Sequence, residues 1–584
     1  MGKVTLKQLS LGSSLKRFIS LVAALSLIAV ALTGCATPSS VIPNTHVTIA
    51  EVGTFSTLNA DVAAAESNKI ASDVAALTLQ NFYEVNQDGE LVANKTFGTV
   101  QVTKQDPFTV TYTLAKTAIW SDGSSVDATD LALAVTAAKV ESFGSAQFGS
   151  TLSGASIVGK PKPGGNELSI SYPNPVADWR TVLRVSAPAH VVGKMAGVTG
   201  NVATVRSEII SSIAAKDETK LAKLAEAYSS SFSPSADITN FVTNGAYTIS
   251  KVSGSAIELT AVREYAGSHS AIAETVYVNL FADNASAFKA VAAEKADIFA
   301  PLETLNEPQS DLVTQSQTLD AKKVTVLAPT SAKSEQFLLN LSGFTFSDAT
   351  YNSPKTGAIL RQAFMNVVPK ARAYDFASLT QVITRADSFV YSSASKNYAA
   401  VATANGSTNY LLQDVEKASE LVASAKLSFT PIVKVLFDTD DPAAVAEWTL
   451  LSDHASSSGF RLMNISTDDP SQRYNNNAYD VYIGTAPVMG VGFGSVQQLV
   501  SGPNRMSLEQ FNALTADVIT ADEKTLDAKL QELDKKLFEI GIGLPLYQSP
   551  TLLVYNQRIK GLVADPTASN ATWGYWTWQV SSDK

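Results

Sequence analysis

A chain of 584 residues with a single cysteine, Cys35, can form no internal disulfide. Its fold must therefore be held by packing alone. That length is also too great for one hydrophobic core, so two or three domains are expected. The hydrophobic share of 45% is ordinary for a globular protein. Strand-like and helix-like periods alternate along the chain. Strands are expected at His46–Ala50, Phe108–Leu114, Ile257–Val262, Tyr277–Leu280, Gln336–Asn340, Ile432–Phe437, Phe460–Ile465, Tyr479–Gly484 and Pro545–Tyr547. Helices are expected around Ile70–Phe82, from Asp127, and over Lys216–Ser229, Ala285–Lys295, Gly357–Val368, Ala443–Ser458 and Leu526–Ile540. This is a mixed α/β pattern, with no repeat of 20–50 residues.

Cys35 stands where an export signal would end. Four basic residues (Lys3, Lys7, Lys16, Arg17) precede an apolar run from Phe18 to Ala31 and then Leu32-Thr33-Gly34-Cys35. The run falls short of the roughly 20 residues of a spanning helix. Its ending resembles the lipobox of bacterial lipoproteins, which implies cleavage before Cys35 and lipid on its sulfur and on the new N-terminus. Residues 35–45, with Pro38 and Pro43, read as a solvated tether before order begins near His46. Without residues 1–34, 40 Lys and Arg face 54 Asp and Glu, a net charge of −14. Such an acidic chain is a poor match for nucleic acid.

Local signals have ordinary structural readings. Asp127 can cap a helix, with Asp130 completing a capping box and Val126 and Leu131 a hydrophobic staple. Trp120-Ser121-Asp122-Gly123 reads as a tight turn anchored by Trp120. Pro369 should end the amphipathic helix that buries Leu360, Phe364 and Val367. Gly541-Ile542-Gly543 suits either a hinge or a helix C-cap. Near the C-terminus, Trp576 and Trp578 at strand spacing would share a buried face, the alternative being a stacking platform for a sugar. No nucleophile elbow, zinc-protease motif or P-loop is present, so no enzyme is expected. His46, His190, His269 and His454 are scattered, and Asp441-Pro442 reads as an N-cap followed by proline at N1. Neither cofactor nor metal is expected.

Four segments together resemble a family. They are Asn81–Tyr83 through Asp88–Leu91 with Ile119–Gly123 and Val126–Asp130; Thr243–Tyr247 with Asp283 and Asp297-Ile298; Leu339-Asn340 with Leu360–Phe364; and Pro545–Tyr547 with Arg558–Gly561. In this order they are similar to the extracytoplasmic solute-binding proteins of peptide-type ABC importers, the dipeptide- and oligopeptide-binding family, family 5. The resemblance spans about residues 46–580. It implies a two-lobed α/β clamshell of the class II periplasmic-binding-protein type with an extra subdomain inserted in lobe one. Lobe one would comprise 46–84, 241–328 and 541–584, the subdomain 85–240, and lobe two 329–540. Hinges would lie near Ala328 and Gly541.

The implied function is capture of an oligopeptide or other small solute outside the cell by a lipid-anchored monomer, followed by delivery to ABC permease subunits. A surface receptor or sensor without a transport role is the alternative. The implied ligand contacts are Ala64 and Glu66 after the first strand, Gln336 and Leu338 along a second-lobe strand, and Thr485, Ala486, Pro487, Val488, Met489 and Phe493. Peptide binders of this family typically hold the ligand ammonium with an aspartate shortly after a strand like Tyr479–Gly484. Here Thr485–Gly490 contains no acid, and Asp480 lies on the strand itself. Two readings stay open: a ligand without a free ammonium, or another carboxylate, such as Glu66, supplying the charge. The loop Gly490–Ser495 could bring backbone amides close to a ligand through its three glycines, or simply be a flexible surface loop.

Overall fold

The computed structural model describes residues 40–62, 68–145, 151–301, 309–331, 333–351, 353–379, 382–453, 455–488, 505–566 and 570–581. Lipobox residues 32–35 lie outside them, as do Ala64, Glu66, His454, Met489, Phe493 and the 490–495 loop. Among the described residues no helix is long and apolar enough to cross a membrane.

Two large sheets dominate. The first has seven strands in the order Val324–Leu327, Leu553–Asn556, Ile298–Phe299, Ile42–Val52, Ala273–Phe281, Ala256–Ala261, Tyr247–Val252. Its central strand, Ile42–Val52, pairs in parallel with Ala273–Phe281. That pairing closes a loop of more than two hundred residues, which leaves room for a large insertion. The second sheet has six strands in the order Thr384–Arg385, Gly543–Gln548, Lys333–Leu339, Val481–Pro487, Ile432–Leu436, Arg461–Asn464. Residues 334–339 are all buried, as a strand with neighbours on both edges and cover on both faces must be.

Along the chain between Ile42–Val52 and Tyr247–Val252 comes a four-stranded sheet of Gly98–Gln105, Phe108–Leu114, Glu167–Tyr172 and Ser156–Ile157, preceded by the hairpin Tyr83–Val85 and Leu91–Ala93. The helix Ala128–Lys139 packs on it. Asp127 caps that helix, and its capping box with Asp130 is complete. Trp120 is fully buried and directs its indole N–H at Asp130 Oδ2, 3.3 Å away, so the turn is anchored as its residues indicate. Asp441 caps the helix Pro442–Ser452, with proline in the first turn. Pro369 separates the helices Pro354–Val367 and Lys370–Ser378. Leu360, Phe364 and Val367 are fully buried.

Three expectations are corrected. Order begins before His46: Ile42 already pairs with Ala273, and an irregularity between Ile42 and His46 absorbs the intervening residues. The C-terminal aromatics are no strand, because Gly574 takes a left-handed conformation and Tyr575–Thr577 form a 3-10 turn. Trp576 and Trp578 therefore do not share a face. Trp576 stacks on His269 at 3.8 Å and 12°, while Trp578 is buried. Third, Gly541 does not mark the return to lobe one. It is the left-handed C-cap of the helix Leu526–Ile540, and Gly543–Gln548 then pairs with Lys333–Leu339 in the second sheet. The chain re-enters the first sheet only at Leu553.

Gly543 shows why that strand starts with glycine. Its φ is +141°, and a Cβ there would lie 2.0 Å from the Phe337 carbonyl oxygen. Substitution Gly543→Ala must push the strand off Phe337. We expect a loss of about 2 kcal/mol or more in urea unfolding, with little change in the slope against denaturant.

Candidate binding cleft between the two sheets

The chain crosses from sheet one to sheet two after Leu327 and returns before Leu553. These crossings run side by side as an antiparallel pair. Thr330 bridges Pro550, Ser331 N–H donates to the Ser549 carbonyl at 3.0 Å, and Thr551 N–H donates to the Pro329 carbonyl at 2.7 Å. Gln548 Nε2 adds a bond to the Ser331 carbonyl at 2.7 Å. Ala328 thus lies beside one observed crossing, and the return crossing is at 549–552 rather than at Gly541.

Beyond the crossings the two halves enclose a cavity of about 780 Å³. From the first-sheet side it is lined by the hairpin residues Glu84 and Leu91–Ala93, by Ser268 and His269, and by Pro566. From the second-sheet side come Tyr391, Ser392, Val488 and, on the helix Leu526–Ile540, Asp527 and Leu530. Its polar groups are held in place. Glu84 accepts from Asn94 Nδ2 at 2.7 Å and from Ser268 Oγ at 2.9 Å, and faces His269 Nε2 at 3.2 Å. Across the cavity Tyr391 donates its hydroxyl to Asp527 Oδ1 at 2.7 Å, and Asn397 and Gln531 donate to Oδ2. Burial and the Asp527 carboxylate push the Tyr391 hydroxyl well above its usual range. A space of this size, apolar with a few fixed polar groups, suits a small solute.

Away from the crossings, Trp179 and Arg180 join the halves. Trp179 directs its indole N–H at the Ile519 carbonyl, 3.0 Å away, and Arg180 reaches the Ala521 carbonyl. The Arg180 guanidinium lies 4.0 Å over the Trp179 ring. Sequence reasoning missed this contact, since nothing local marks Trp179 as facing another part of the chain.

Of the expected ligand contacts, Val488 lines the cavity. Gln336 and Leu338 are buried in the centre of sheet two, and Gln336 Nε2 donates to Ser334 Oγ at 2.6 Å and approaches the Ala486 carbonyl at 3.4 Å. Their strand lies between two others, so it offers no free edge to an extended ligand. The strand Val481–Pro487 does: it pairs with Ile432–Leu436 only at Val481 and Tyr482. The outer edge from Gly484 through Pro487 therefore has no strand partner among the described residues. Asp480 is structural, its carboxylate accepting from the Thr345 and Lys434 amides at 3.0 and 2.9 Å.

Next to Thr485 the structure places acids that the sequence reading did not single out. Glu335 pairs across the sheet with Thr485 and Tyr547. Its Oε2 accepts from the Thr485 hydroxyl at 2.8 Å. Glu447, on the helix above, accepts from the Tyr547 hydroxyl at 2.9 Å through Oε1. Glu335 is 7% exposed and Glu447 2%. Burial pushes the Glu335 carboxyl up to about 8, aided by the charge of Asp441. Burial and the neighbouring Glu335 raise Glu447 well above the usual carboxylate range. The available signal was weak, since Glu335 stands between Ser334 and Gln336 ahead of the apolar run Phe337–Leu339.

The chain matches the model of bacterial extracellular solute-binding proteins, family 5, over residues 98–498, more than half its length. A comparison with curated protein sequences gives no match. Solved structures share the fold along nearly the whole chain. The periplasmic EDTA-binding protein EppA aligns with a TM-score of 0.59 at 18% identity, covering 94% of this chain and 98% of its own. Lactococcal OppA, complexed with an endogenous peptide in the closed conformation, aligns at 0.52 and 14%, covering 92% and 100%. The oligopeptide-binding protein AppA from Bacillus subtilis, in complex with a nonapeptide, aligns at 0.51 and 11%, covering 92% and 100%. The chain belongs to family 5 of the bacterial extracellular solute-binding proteins. It is thus the extracytoplasmic, ligand-capturing component of an ABC importer, on a two-domain α/β fold.

The acid pair sets a pH dependence. Folded Glu335 keeps its proton to about pH 8, whereas its ordinary value is 4.5. Between these values the folded state binds more protons than the unfolded one, so stability falls as pH rises. The slope is at most about 1.4 kcal/mol per pH unit for one proton. Glu335→Gln should flatten the fall between pH 5 and 8, read from urea unfolding at several pH values.

Proposed function

We propose that the protein binds an oligopeptide between its two halves and delivers it to ABC permease subunits, while lipid on Cys35 tethers it as a monomer to the outer face of the cytoplasmic membrane. The observation that carries the reading is the cavity of about 780 Å³ lined from both halves of the chain, which a paired crossover joins. A ligand there touches both halves only when they are closed, so binding shifts the population toward the closed form. The unpartnered edge of Gly484–Pro487 supports an extended ligand, because its backbone groups can pair with a peptide whatever the side chains. Two of the aligned structures, OppA and the Bacillus subtilis AppA, hold peptides. The tether is supported by the basic, apolar and small-residue order that ends at Cys35.

Soluble protein beginning at Ala36 should melt higher with random tri- and pentapeptide pools. Ligand at 100 times its Kd stabilises by about 2.7 kcal/mol, an easily measured shift. No shift with protein verified to be ligand-free would overturn the peptide reading and turn the search to chelates and sugars. In the full-length chain, Cys35→Ala should release the protein from the membrane fraction on cell fractionation. Retention in that fraction would sink the lipid anchor.

A further inference from the structure

Glu335 and Glu447 stand at one end of sheet two. The strands Ile432–Leu436, Val481–Pro487 and Gly543–Gln548 all run toward that end. It is also the end from which both crossings leave for sheet one. In open α/β sheets, ligands gather outside the carboxyl ends of such strands.

The two carboxylates are only half satisfied. Each is anchored through one oxygen, Glu335 by Thr485 and Glu447 by Tyr547. Their other oxygens, Glu335 Oε1 and Glu447 Oε2, are buried and have no hydrogen-bond partner, including each other. Both side chains are more than nine-tenths buried. Asp441, at the N-cap of the helix that carries Glu447, adds a third acid within electrostatic reach of both. Asp438 and Asp441 both act on the neighbouring Tyr482, as does Glu335. No ion pair to Glu335, Glu447, Asp438 or Asp441 is formed among the described residues. Leaving paired acids buried with vacant acceptors is costly, and a donor bearing positive charge removes the cost.

We propose that Glu335 and Glu447 form a subsite that receives an organic cation of the ligand, an ammonium or a guanidinium. An N–H cation donates to Glu335 Oε1 and Glu447 Oε2 together as the pair gives up its protons to solvent, while Thr485 and Tyr547 hold the two carboxylates in place. A metal ion is a poorer fit, since among the described residues no group of three His, Cys, Asp or Glu side chains is arranged to hold one. This inference rests on the solute-binding reading and narrows it: the solute is cationic at the end that enters lobe two. A peptide amino terminus and a Lys or Arg side chain share that chemistry.

Calorimetry separates the possibilities with three tripeptide pools: free-amine without Lys or Arg, N-acetylated with Lys and Arg, and N-acetylated without either. At least one cationic pool should bind about ten-fold or more tighter than the neutral pool, as charge-assisted hydrogen bonds require. Whichever cationic pool binds tighter identifies the source of the charge. Glu335→Gln and Glu447→Gln should each remove the preference for the cationic pool over the neutral one. Preference that persists in both variants, or wild type that binds all pools alike, overturns the subsite. Should no pool bind, the peptide reading fails by itself, and the subsite is judged by melting shifts with lysine amide and arginine amide against acetylglycinamide. Stabilisation of wild type by either cation, lost in Glu335→Gln, upholds it, and no such stabilisation overturns it.

Discussion

The structure depends on two short strands of chain lying side by side. Residues 328–331 leave sheet one, residues 549–552 return to it, and backbone hydrogen bonds at 2.7 and 3.0 Å join them. Sheet two is made from one stretch, residues 333–548, whereas sheet one is made from chain on both sides of it. Sheet one needs Leu553–Asn556 to pair with both Ile298–Phe299 and Val324–Leu327, and sheet two needs Gly543–Gln548 beside Lys333–Leu339. The first half is completed by chain that has passed through the second, and two chain crossings join them. Such an arrangement favours hinge motion about few residues.

Ligand control requires that closure be neither free nor fixed. Away from the crossings, Trp179 and Arg180 meet the carbonyls of Ile519 and Ala521, and Lys396 lies 3.7 Å from Asp88 at the surface. The surface pair contributes little, because exposed ion pairs are solvated and screened. One indole hydrogen bond is worth about 1 kcal/mol net. Apolar packing adds to these polar contacts, since one buried cluster includes Trp179 together with Ile519.

Much of the fold was legible because local chemistry and tertiary structure agree. Asp127 and Asp130 form the capping box their spacing indicates, Asp441 caps the helix that Pro442 opens, and Leu360, Phe364 and Val367 share a buried face. Legibility failed where partners are distant in sequence. Nothing local says that Gly543–Gln548 joins sheet two rather than sheet one, since the decision is made by pairing with Lys333–Leu339 some two hundred residues earlier. The terminal tryptophans misled because strand spacing is uninformative beside a left-handed glycine, here Gly574. The site was the least legible part. Val488 lines the cavity, but Glu335 and Glu447 become a pair only when a strand and a helix from separate segments stack. An alignment of side-chain types to a familiar motif looks for acids after the strand, not for acids on the neighbouring one.

The central claim is that a solute held between the halves draws them together about the paired crossings. Small-angle X-ray scattering of the soluble chain, ligand-free and then saturated with a stabilising solute, measures this directly. The account predicts a smaller radius of gyration and a shorter maximum dimension on saturation. Tight binding with an unchanged scattering profile would contradict it, and would place the solute on one half alone.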